Sequence, residues 1–85
     1  MVKYKKGNVV VEAIEFTDSS KDMIFHWITH TREPIFIDGE PALKMRTLEG
    51  YVVVRFGDYV VKGVNGEFYS CKADAFHDTY KPINL

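Results

Sequence analysis

At 85 residues without a break in composition, the chain reads as one small domain, and its 46% hydrophobic and 14% aromatic content exclude disorder. A formal charge of −1 leaves no basic excess for sequence-independent nucleic-acid binding. The single cysteine, Cys71, excludes an internal disulfide and a cysteine-based zinc site.

No apolar run is long enough to span a bilayer, and Val9 to Val11 is interrupted at once by Glu12 and Glu15, unlike a secretory leader. The expected setting is therefore cytoplasmic, with no membrane partner. After a short basic lead, Val9 to Phe16 reads as a strand. Its alternation changes phase: Val9, Val11 and Ala13 share one face, Ile14 and Phe16 the other. Either a bulge near Ala13 or burial on both faces accounts for that.

Asp18-Ser19-Ser20 offers helix caps, and Met23, Ile24, Trp27 and Ile28 recur at helical spacing. The spacing predicts a helix of about three turns from Ser20 to His30, with Trp27 as its largest core anchor. Ile35 to Ile37 is a short strand turned by Asp38-Gly39, and Leu43 and Met45 alternate with Lys44 and Arg46 in the next. Glu49-Gly50 is read as the turn into Tyr51 to Arg55, placing Lys44 opposite Arg55 and Arg46 opposite Val53. Gly57-Asp58 then breaks the chain before a strand from Tyr59 to Val64.

Asn65-Gly66 between apolar runs signals a two-residue type I′ hairpin. That loop sets Val64 opposite Glu67, Lys62 opposite Tyr69 and Tyr59 opposite Lys72. A short helix from Ala73 to about Thr79 carries Phe76 and places Tyr80 at i,i+4. The expected fold is α+β: a small curled antiparallel sheet or SH3-like barrel with one amphipathic helix packed across it and a short C-terminal helix.

The same C-terminal stretch carries a resemblance. Gly57, Asp58, Tyr59, Lys62, Gly63, Gly66, Glu67, Phe68, Tyr69, Cys71, Lys72, Asp74, Phe76, Thr79 and Tyr80 are similar to the C-terminal hairpin motif of small, uncharacterised tailed-phage and prophage proteins. Lys5-Lys6 with Val9 to Phe16 resembles that family's opening strand, and Thr47-Leu48-Glu49-Gly50 is similar too, while Asp18 to Ala42 is this chain's own. The chain departs at Ser70 and Ala73, where the family pattern has proline, and at Asn65, where it has lysine. The resemblance implies a phage origin and a fold, and no reaction.

Three constellations bear on chemistry. His26 and His30 have the i,i+4 spacing of metal ligands, but a solvated stripe explains them equally, and no metal is expected. Cys71 and His77 lack an oxyanion loop or orienting group, so no catalytic residue is assigned and the chain is read as a non-enzyme with no cofactor. Tyr59, Lys62, Phe68, Tyr69 and Lys72, joined by Arg46 or Arg55, interleave rings and cations; they read as cross-strand packing or as a site for a nucleotide-like ligand. The functional expectation is a phage-type protein acting by occupancy in counter-defence or host modulation, sequestering a nucleotide-like molecule or blocking a host protein. The alternative is a structural or virion-associated module. Exposed strand edges and near-zero charge also predict a homo-oligomer.

Overall fold

The computed structural model describes residues 2–83. Its elements are β1 (Val2–Lys6), β2 (Val9–Glu15), α1 (Lys21–Trp27), β3 (Arg32–Ile37), β4 (Glu40–Thr47), β5 (Gly50–Val54), β6 (Tyr59–Lys62), β7 (Phe68–Cys71), α2 (Ala73–Thr79) and β8 (Lys81–Pro82). The fold is α+β, and all strand pairs are antiparallel. The strands make two sheets rather than one curled sheet or a closed barrel: β7-β6-β2-β1-β8, and β3-β4-β5.

The division follows from β2 and β6, which are apolar on both faces. One face of the five-stranded sheet packs Val11, Ala13, Tyr59 and Val61 against Phe76 and Tyr80 of the α2 region. The other packs Val60 and Phe68 with Phe16, Ile24 and Ile28 against Leu43, Met45 and Val54 of the three-stranded sheet. The phase change in β2 is thus burial on both faces, since its registers with β1 and β6 run without interruption. Fully burying one such aliphatic or aromatic side chain contributes about 1.5–3 kcal/mol.

Several sequence expectations are corrected. The basic lead is strand β1, because Tyr4 turns inward onto Phe76, with ring centroids 4.7 Å apart, while its lysines stay in water. Helix α1 is two turns long, not three; Ile28 is already extended (ψ 125°) yet remains buried, so the chain leaves the helix without leaving the core. Ser20 does not cap it by side chain; instead its Oγ donates to the Glu15 carbonyl at 2.6 Å and accepts the Thr17 N–H at 2.9 Å. Trp27 is only half-buried, its ring edge-on to Phe68 at 5.2 Å, and Ile24 and Ile28 are the buried anchors.

The last hairpin has a different register. Gly63 N–H donates to the Glu67 carbonyl and Gly66 N–H to the Gly63 carbonyl, closing a three-residue loop with Gly66 at φ 80°. That is a turn followed by a left-handed glycine bulge, not a type I′ pair. Tyr59 therefore faces Cys71, Val61 faces Tyr69 and Lys62 faces Phe68. The two-residue loop with both central residues at positive φ occurs instead at Asp38 (φ 51°) and Gly39 (φ 79°).

The β4–β5 turn is Leu48-Glu49, one residue earlier than read from the sequence. Arg46 consequently faces Tyr51 and Lys44 faces Val53, and Arg55 lies beyond the strand. No Lys44–Arg55 pair exists across this ladder.

Depth of burial ranks the anchors. Phe76 is fully buried between Tyr4, Tyr59 and Tyr80, so Phe76→Ala should cost about 3–5 kcal/mol. Half-buried Trp27→Ala should cost about 1–3 kcal/mol. Urea unfolding of both variants checks the order; a larger loss at Trp27 would contradict this packing.

Candidate ligand-binding face

The seven residues proposed from sequence as a ligand site do not form one surface. Tyr59 is stacked on Phe76 at 4.1 Å with rings 4° from parallel, and the Tyr69 hydroxyl lies 2.8 Å from that of Tyr80. Both belong to the packing beneath α2. Phe68, on the opposite face of β7, is buried and meets the Trp27 and His30 rings in T-shaped contacts. Lys62 lies with its ammonium 5.9 Å from the Phe68 centroid.

Lys72 is committed to a structural pair. Its ammonium lies 3.2 and 3.3 Å from the two carboxylate oxygens of Asp58, which is only 6% exposed. One of those oxygens also accepts the Arg55 N–H at 2.9 Å, and Asp58 N–H donates back to the Arg55 carbonyl. The Asp58 carboxylate thus holds the β5–β6 corner and the start of α2. Arg55 contributes backbone to it while its side chain stays exposed.

Burial raises the Tyr69 hydroxyl well above the ordinary tyrosine range, and its bond to Tyr80 adds to the shift. Burial likewise raises Tyr59, followed by the charges of Tyr4 and Glu15, and raises the Cys71 thiol, followed by the charge of Asp58. The Cys71 thiol is accordingly kept in its less nucleophilic, protonated form. His77 lies 3.4 Å from the Tyr59 hydroxyl through Nε2, aligned with that phenol. The expected His26–His30 stripe does not form, because His30 lies past the helix end against Phe68. Among the described residues no group of three or more His, Cys, Asp or Glu could hold a metal ion.

The structure does bring a ring and cations together elsewhere. On the outer face of the three-stranded sheet, Tyr51 is 53% exposed. The Lys44 ammonium lies 4.9 Å and the Arg46 guanidinium 5.5 Å from its ring centroid. Lys44 is loosely paired with Glu33 at 3.9 Å, whereas no carboxylate of the described residues is within ion-pair distance of Arg46. Arg46 N–H donates to the Thr31 carbonyl at 2.9 Å, which ties the segment after α1 to the end of β4.

Two shallow clefts flank this point. One of about 220 Å³ is lined by Thr31, Arg32, Glu33, Lys44 and Tyr51. The other, of about 380 Å³, lies between Thr29-His30-Thr31, Arg46 to Leu48, and Glu67-Phe68. Of the sequence-derived set, Arg46 stands beside Tyr51, and Phe68 lines the larger of the two clefts. Tyr51 and Thr31 were missed, and alternation of Lys44 and Arg46 opposite Tyr51 would have signalled the pairing had the turn been placed at Leu48-Glu49.

No family model, curated protein or solved structure matches the chain. Among the described residues no helix is long and apolar enough to cross a membrane.

The buried phenols make an alkaline test. The folded Tyr69 value lies above the unfolded one, so its contribution is fully present below pH about 10 and is lost as pH rises through the folded value. Stability should fall above pH about 10, and Tyr69→Phe should flatten that limb. Ultraviolet titration should show the share of the signal that belongs to Tyr59 and Tyr69 appearing only with unfolding. Ionisation of all five tyrosines near the ordinary value, with the fold intact, would contradict this arrangement.

Proposed function

We propose that the protein is a non-enzymatic binder that acts by occupancy, taking a planar, anionic small molecule of the nucleotide class on the outer face of β3-β4-β5. The observation that carries this reading is the exposed Tyr51 ring bracketed by Lys44 and by Arg46, the latter without a carboxylate partner. A ring offers stacking worth about 1–3 kcal/mol per base, and a guanidinium offers paired donors to a phosphate. Thr29 and Thr31 line the same cleft as Arg46. Occupancy rather than turnover is supported by the state of the reactive candidates: the Cys71 thiol is pushed up by burial, and His77 is aligned with Tyr59 rather than with a nucleophile. The resemblance to tailed-phage accessory proteins supplies the setting, sequestration of a host signal in counter-defence.

Calorimetric titration with a panel of linear and cyclic nucleotides tests the reading. At least one should bind tighter than about 10 μM, roughly −7 kcal/mol. Tyr51→Ala and Arg46→Ala should each weaken it about tenfold, whereas Lys62→Ala should leave it unchanged. No binding across the panel, or equal binding by the Tyr51 and Arg46 variants, would overturn it.

A further inference from the structure

The outer edge of β5 is an interface for a second copy of this chain. The geometry points to this because the hydrogen-bonding direction along β4 alternates. Arg46 N–H bonds toward Thr31 on the β3 side, so the odd-numbered residues of β4 bond toward β5. Their partners Gly50, Val52 and Val54 are thereby used, and the N–H and C=O groups of Tyr51 and Val53 point away from the sheet. No described residue bonds to these four groups.

The four sheet edges differ in protection. β3 carries Pro34, and β8 is two residues ending in Pro82. The β7 edge is only four residues long, and a cleft lined by Leu48, Glu49 and Val52 on one side and Phe68 to Ser70 on the other lies between it and β5. β5 has five residues, neither proline nor charge within it, and three consecutive valines. Tyr51 and Val53 also expose apolar side chains there, 53% and 44%, with Leu48 at 89% beside them. Such an edge is a template for strand addition unless something covers it.

Self-complementarity selects the occupant. Antiparallel pairing about a two-fold axis at Val52 sets Tyr51 opposite Val53 of the second copy, and Val53 opposite its Tyr51. All four free groups on each strand are then satisfied, with an aromatic ring against a β-branched residue in both pairs. The same register brings the Leu48-Glu49 turn of each copy toward Arg55 just beyond β5 of the other, so opposite charges approach at both ends. Arg55 is free for this role, because only its backbone is held by Asp58. The result is a continuous six-stranded sheet on whose outer face the two Tyr51 rings lie diagonally across the seam, each beside a Val53.

Light scattering during size-exclusion chromatography should give twice the 9.8 kDa chain mass at tens of micromolar protein. Val53→Pro removes an outward N–H and none of the β4–β5 bonds, so it should be monomeric with an unchanged circular dichroism spectrum. Arg55→Glu should weaken the dimer about tenfold, and Glu49→Arg with Arg55→Glu should restore it. Should Val53→Pro fail to fold, amide exchange of the unaltered protein decides the matter. Exchange at Tyr51 and Val53 that slows with rising protein concentration supports the interface, and concentration-independent exchange overturns it. A wild-type monomer up to about 100 μM, a dimeric Val53→Pro, or a charge swap without rescue also overturns it.

Discussion

The Asp58 carboxylate is the point on which the two sheets depend. β5 is the last strand of one sheet and β6 returns the chain to the other, beside β2, with the Asp58 side chain buried at the corner between them. A buried carboxylate is tolerable only when its lone pairs are occupied. Asp58 meets that condition by taking the Arg55 N–H and the Lys72 ammonium. Its carbonyl accepts the Phe16 N–H at 2.7 Å, and Gly57, at φ 95°, donates to the Phe16 carbonyl. One corner therefore ties together the end of β2, the β5–β6 turn and the start of α2. The Lys72 side chain is 70% exposed, so the stabilising part of this knot is the hydrogen bonding of the buried acid more than the Coulomb attraction.

This explains what the stretch from Gly57 to Tyr80 accomplishes. Gly57, Asp58 and Lys72 build the corner; Tyr59, Tyr69, Phe76 and Tyr80 fill the space beneath α2; Phe68 fills the other core. Gly66 supplies the left-handed residue of the hairpin, and Glu67 accepts the Asn65 N–H across the turn. These residues are scaffold. The ring and cations left facing water, Tyr51 with Lys44 and Arg46, stand on the three-stranded sheet.

Local chemistry was legible where one or two residues decide the outcome. Asp38-Gly39 turns because both accept positive φ, and α2 was delimited by Ala73 and Thr79 as its pattern implied. The α+β class followed from short β-rich runs interrupted by one apolar stripe at helical spacing. The double burial of β2 was already visible as its change of phase, although the sequence alone left a bulge as an equal explanation.

What the sequence by itself determined is which segments are extended or helical and which residues are apolar enough to be buried. Register, sheet membership and the site were decided only by the tertiary structure. A hairpin loop of two or three residues is nearly degenerate locally, yet the choice moves every following side chain to the other face. Only packing against α2 on one side and Trp27 on the other settles that Tyr69 takes the face of Val61 and Phe68 that of Lys62. The same holds for Lys72: nothing in its neighbours along the chain marks it as the partner of an acid fourteen residues away, because that pairing exists only once β6 and β7 have folded together.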